Sequence, residues 1–134
     1  MSDDTRAVIA RWIELFNGGA LDEMEGMLAS DFVDHGAFPG QPEGPAGFMW
    51  KMRLVAAGLS DARFRLERQC ADGDWIANHY TVTGKHTGDL FGIAATGNDV
   101  SFEAMDFIRV ADGKLAENHA LSDSTTLMAQ LGVA

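Results

Sequence analysis

Three side chains able to move protons fall close together near the end of the chain, in residues 98–123, which read NDVSFEAMDFIRVADGKLAENHALSD. They are Asp106, His119 and Asp123. A carboxylate serves as general base or acid near neutrality only if an apolar setting lifts its pKa from about 3.9, whereas an imidazole starts near 6.5. The spacing bears on which of them can cooperate. Val100, Phe102, Ala104, Asp106, Ile108 and Val110 share one strand parity, which sets Asp106 among apolar neighbours. Leu115, Glu117, His119, Leu121 and Asp123 share a parity in the next run, so His119 and Asp123 point the same way if the strand extends that far. Four residues of ideal strand separate them by roughly 13 Å, and direct contact requires a bend or an early strand end. Asp123 also precedes a short apolar helical run and has the position of an N-cap; His119 has a buried, hydrogen-bonded core histidine as its alternative.

Other chemistries find less support. The histidines His35, His79, His86 and His119 show neither HxH nor HxxxH spacing, and no metal site is expected. Neither GxGxxG after a strand nor GxxxxGK[ST] is present, so no nucleotide cofactor is expected, and no serine sits in a nucleophile elbow. The lone Cys70 lies in an alternating run and reads as a small buried hydrophobe, with no partner for a disulfide.

The elements that must position these groups are set by periodicity. Val8, Ile9, Trp12, Ile13, Leu15 and Phe16 give residues 2–17 a helical apolar face, with capping groups at residues 2–4 and a stop at Asn17-Gly18-Gly19. Leu21, Met24, Met27 and Leu28 mark a second short helix over 20–28, and residues 32–35 a short strand or extended crossing. All three prolines and Gly36, Gly40, Gly44 and Gly47 lie in residues 36–47, a surface loop or lid. A third helix continues to Gly58, on which Met49 and Trp50 cannot share a face. From Ser60 the period becomes two: residues 62–70 and 75–84 flank the Asp72-Gly73-Asp74 turn, and the two late runs flank the Asp-Gly pair of residues 111–114. Leu90-Phe91-Gly92-Ile93 reads as a short strand or lid, and residues 124–131 as a final helical turn. Helices first and a meander second predict an α+β domain over 1–134 with a mainly antiparallel sheet. A curled sheet of this kind makes a cone whose open end holds a ligand.

The 134 residues include 46% hydrophobic, with twenty acidic against ten basic residues and a formal charge of −10. That length suits one domain with a sizeable core, and the acidity opposes binding to nucleic acid or to an anionic membrane. The amino-terminal residues show no uninterrupted apolar segment, which predicts a cytoplasmic protein.

The opening RWIELFNGGALDEMEGMLASDFVDHG and the late FIRVADGKLAENHALSDSTTLMAQLG resemble the SnoaL-like polyketide cyclase branch of the NTF2-like superfamily, over nearly the whole chain. The resemblance implies a cone of three amino-terminal helices on a curved sheet, a homodimer formed through one sheet face, and a pocket in each protomer. It implies cofactor-independent acid/base chemistry on an apolar, carbonyl-containing small molecule, with Asp123 as the family's late acid, Asp106 at a polar position and His35 beside the pocket. In many such sequences a tryptophan stands where this chain has His119. Trp12, Phe16, Phe38, Trp50, Tyr80 and Phe102 are the aromatic candidates for lining the cone, with Tyr80 also a possible oxyanion donor. The same fold also hosts epoxide hydrolases, isomerases and non-catalytic binding or scaffold proteins, and all three stay open on the sequence. An epoxide hydrolase would require two acids and an arginine around a water, for which Asp106, Asp123 and Arg68 or Arg109 are the available types.

Overall fold

The structure, a computed structural model, describes residues 2–133; the side chains of Ser2 and Asp3, expected to help cap the first helix, lie outside the described residues. Within the described residues, four helices and five strands run in the order α1 (Ser2–Asn17), α2 (Leu21–Glu25), β1 (Leu28–Asp34), α3 (Gly44–Gly58), β2 (Leu59–Asp72), β3 (Trp75–His86), β4 (Asp99–Ala111), β5 (Lys114–Ser122) and α4 (Ser124–Gln130). The fold is α+β, with the amino-terminal helices packed on a curved, largely antiparallel sheet of order β1-β5-β4-β3-β2. Of its strand pairs, β1–β5 is parallel and the others antiparallel.

Helix α1 buries Thr5, Ile9, Trp12, Leu15 and Phe16, the stripe that a 3.6-residue period lays on one side. It ends in a Schellman motif: the Ala20 N–H donates to the Leu15 carbonyl at 2.9 Å, the Gly19 N–H to Phe16 at 3.0 Å, and Gly19 takes φ +75°, which glycine adopts without a Cβ clash. Asn17 then locks the helix to β2. Its amide donates to the Phe64 carbonyl at 3.1 Å and accepts from the Phe64 N–H at 2.9 Å. The second helix is shorter than the periodicity predicts because the chain turns at Gly26, and Leu28 opens β1 instead.

The strands β2, β3 and β4 are long and pair continuously, joined by tight connections at Gly73-Asp74 and Asp112-Gly113. Both residues of the second connection have positive φ, the backbone that matches strand twist. Register shifts between Ser60 and Arg63 and between Leu66 and Arg68 bend β2 and curl the sheet around the helices. Ile76 and Ile108 from the inner sheet face meet Ile9, Phe32, Phe48 and Met49 in the main core. Leu59, Leu90, Val100, Leu127 and Leu131 form a second cluster at the other end, closed by the bridge between Leu90 and Ile93. Between the two lies the cavity. No helix among the described residues is long and apolar enough to cross a membrane.

Candidate active site

The cavity, of about 350 Å³, is enclosed by α1, α3, the inner sheet face and the segments at 36–38 and 90–91. Its wall is mainly apolar and aromatic: Trp12, Phe16, Phe38, Phe64, Tyr80 and Phe102 all border it. Trp12 stacks on Phe48, and Phe64 meets Phe16 and Tyr80 edge to face, so the rings are fixed by one another before any ligand arrives. Five of the six aromatic residues expected from the sequence are among the lining residues. Trp50 is not: Met49 takes the inward side of α3 and leaves Trp50 39% exposed.

Few polar groups enter this setting. Asp106, on the inner face of β4, accepts a hydrogen bond from Asn78 Nδ2 at 2.8 Å, and the Tyr80 hydroxyl also favours its charged form. Burial pushes its pKa up to about 7, against the opposing effects of Asn78, the Tyr80 hydroxyl and the Lys51 ammonium. A carboxylate poised there exchanges a proton readily at neutral pH. The Tyr80 hydroxyl is driven well above its usual range by burial and by Asp106, and therefore remains a proton donor in hydrogen bonds.

A second polar group borders the cavity around Asp34, at the end of β1. Its carboxylate accepts from Lys51 Nζ at 2.9 Å, Gln41 Nε2 at 2.9 Å, Asn118 Nδ2 at 3.0 Å and the Gly36 N–H at 2.9 Å. Burial raises its pKa, but the hydrogen bonds from Gln41, Lys51 and Asn118 and the charge of Lys51 outweigh it and hold the carboxyl below its usual value. Lys51 also donates to the Gly36 carbonyl at 3.0 Å and lies over the rings of Phe38 and Phe48. Thus α3, β1, β5 and the 36–41 loop meet on one ion pair, with Lys51 and Asn118 themselves at the cavity wall. The sequence patterns do not single out Lys51, Asn78 or Asn118. A lysine inside the apolar run FMWKM is the available signal for the first, since a buried ammonium needs a partner.

The remaining proton-transfer candidates lie elsewhere. Asp123 caps α4: its oxygens accept from the Thr126 N–H at 3.1 Å and the Thr126 hydroxyl at 2.6 Å. Those bonds, the hydroxyl's first, lower its pKa, which corrects the expectation of a base with a raised pKa. Glu117, His119 and Leu121 project from the outer face of β5, away from Asp106; β4 and β5 pair Asp106 with Ala120 and Phe107 with His119. His35 stacks on His119 on that outer face and does not line the cavity. Arg109 pairs with Glu117 there, and Arg68 borders an outer groove. Among the described residues, no arginine and no carboxylate other than Asp106 line the cavity, so the two acids and one arginine of an epoxide hydrolase are not assembled. Cys70 is exposed, which corrects its reading as buried.

The chain is similar to known proteins over most of its length. The family model described as SnoaL-like polyketide cyclase matches residues 6–131. Aklanonic acid methyl ester cyclase DnrD of Streptomyces peucetius is 27% identical over 128 residues, 93% of this chain and 88% of that protein. Nogalonic acid methyl ester cyclase of Streptomyces nogalater is 27% identical over 122 residues, 90% and 91% of the two chains. The solved structure of TsrD from Streptomyces laurentii superposes with a TM-score of 0.90 at 22% identity, covering 100% of this chain and 98% of that one.

The Lys51–Asp34 pair gives the first prediction. Lys51→Met leaves a buried carboxylate without its cation and should cost about 3–5 kcal/mol at pH 7. Asp34 has a depressed folded pKa, so its contribution is present above the unfolded carboxyl pKa and lost as pH falls through the folded one. The deficit of the variant in urea denaturation should therefore shrink from pH 7 toward the acid range.

Proposed function

The chain belongs to the SnoaL-like polyketide cyclase family of the NTF2-like superfamily, and on that basis we propose that it is a cofactor-independent acid/base enzyme. Its substrate is a mostly apolar, carbonyl-containing small molecule of polyketide type, and its reaction is closure of a ring by carbon–carbon bond formation. The observation that carries this reading is Asp106, a carboxyl held near neutrality inside an aromatic cavity. Ionised Asp106 takes a proton from the carbon next to a carbonyl. The enolate so formed attacks a second carbonyl of the same molecule, and the protonated Asp106 returns the proton to the resulting alkoxide. Negative charge therefore moves from carboxylate to enolate to alkoxide, and Lys51 and the Tyr80 hydroxyl are the groups at the wall able to stabilise it. The cyclase names of the Streptomyces relatives support the substrate class; the particular ester is not carried over at 27% identity.

Asp106→Asn should lower kcat by roughly 10²- to 10⁴-fold on a substrate of this class while keeping the fold. Asp123→Asn, altered only at a helix cap, should retain turnover, and the reverse pattern would sink the assignment. With Asp106 acting as the base, log(kcat/KM) should rise with unit slope up to pH about 7 and level off above it.

The second part of the reading is a homodimer joined through the outer sheet face. Met105, Phe107 and Leu121 are 56%, 58% and 83% exposed side by side on β4 and β5, an apolar surface that a second copy would cover. Light scattering should give twice the chain mass at micromolar concentration, and Phe107→Glu should halve it; a monomeric wild type would refute this part alone.

A further inference from the structure

We propose that His35, Glu117 and His119 form a binding site for a divalent transition-metal ion of the zinc type, on the outer face of the sheet and separate from the cavity. Strand pairing assembles it. β1 and β5 run parallel with Asp34 opposite Asn118, and the His35 N–H donates to the Asn118 carbonyl at 2.7 Å. Glu117 and His119, two residues apart on β5, face the same way. Residues distant in the chain thus meet on a rigid frame, which is why histidine spacing along the sequence does not reveal the site.

The donors already converge. His35 Nε2 lies 2.8 Å from Glu117 Oε2, and His119 Nε2 lies 3.5 Å from the same oxygen; one donor atom from each of the three lies within 4.8 Å of the others. Bonds of about 2.0–2.1 Å to a tetrahedral ion set donor–donor distances of about 3.3 Å, so small side-chain movements suffice. Two imidazoles and a carboxylate are a donor set of three-ligand zinc sites, with the fourth position left for water.

The surroundings prepare the carboxylate. Arg109 Nε donates to Glu117 Oε1 at 3.0 Å. The glutamate is therefore oriented through one oxygen, with the other turned to the histidines, as outer partners of metal ligands commonly arrange. The two imidazoles stack with centroids 4.1 Å apart and planes 10° from parallel, and an ion would displace the proton that His35 Nε2 donates to Glu117. Binding one ion requires the rings to fan apart about χ2, and both side chains are half-exposed in the single protomer; His119 pairs with Phe107, so the ion would sit beside the proposed dimer surface. The Trp75 ring, 6.0 Å from that of His119, is placed to report the event.

The test uses the full chain without a polyhistidine tag, titrated with zinc chloride by calorimetry and with cobalt(II) chloride by visible absorption and tryptophan fluorescence. The expected result is one ion per chain, a four-coordinate cobalt band, and quenching that disappears in Trp75→Phe. His35→Ala and His119→Ala should each weaken binding by more than the roughly 10- to 100-fold that loss of an outer partner costs, while His79→Ala leaves it unchanged. Independently of any variant, zinc should shift the imidazole NMR signals of His35 and His119 and spare those of His79 and His86. Absence of saturable binding at millimolar zinc, binding that survives either alanine variant, or shifts confined to other histidines would overturn the site.

Discussion

The arrangement depends on keeping one carboxyl group, Asp106, inside an apolar cone. Desolvation disfavours its charged form, while Asn78, Tyr80 and the Lys51 charge favour it, and the balance leaves the group near neutrality. If the cone were wetter the pKa would fall and the group would be a permanent, weak base; with no donors it would remain protonated. The aromatic lining and the paucity of other polar groups therefore set the field in which Asp106 titrates.

The contrast with Asp34 makes the point within one protein. Both carboxyls are pushed upward by burial, yet Asp34 gathers Lys51, Gln41, Asn118 and a backbone N–H and ends as a fixed anion. Two environments thus divide two acids into a structural anion and a titratable group. The anion fastens the loop at 36–41 to α3 and β5, and so holds Phe38 at the cavity wall. It also fixes the ammonium of Lys51, whose charge reaches Asp106.

Much of this is legible in the sequence. The change of period from helical to two locates the strands, and the parity of β4 places Asp106 among inward apolar residues. The parity of β5 misleads for an identifiable reason. Leu115 is fully buried and shares its parity with Glu117 and His119, but a register shift pairs Arg109 with Glu117 and then Val110 with Leu115. Ala116 is the extra residue of a bulge, which reverses the phase between Leu115 and the rest of the strand. Glu117, His119 and Leu121 consequently face outward, and Asp123 falls beyond the strand as a helix cap. No periodicity within one strand announces a bulge, and none announces that β1 brings His35 beside His119. The Lys51–Asp34 pair is hidden likewise, because pairing across chain distance leaves only a lone lysine in an apolar helix as its trace.

The most direct test is the ionisation of Asp106 itself. A ¹³C NMR titration of the carboxyl carbons, with Asp106 assigned by its absence in Asp106→Asn, should show this resonance titrating at about 7, far from Asp34 and Asp123, which lie below their usual value. A midpoint near that of a free aspartate, about 3.9, would contradict the account: the carboxyl would be solvated rather than held in an apolar cavity, and the base assigned to this fold would have to be sought elsewhere.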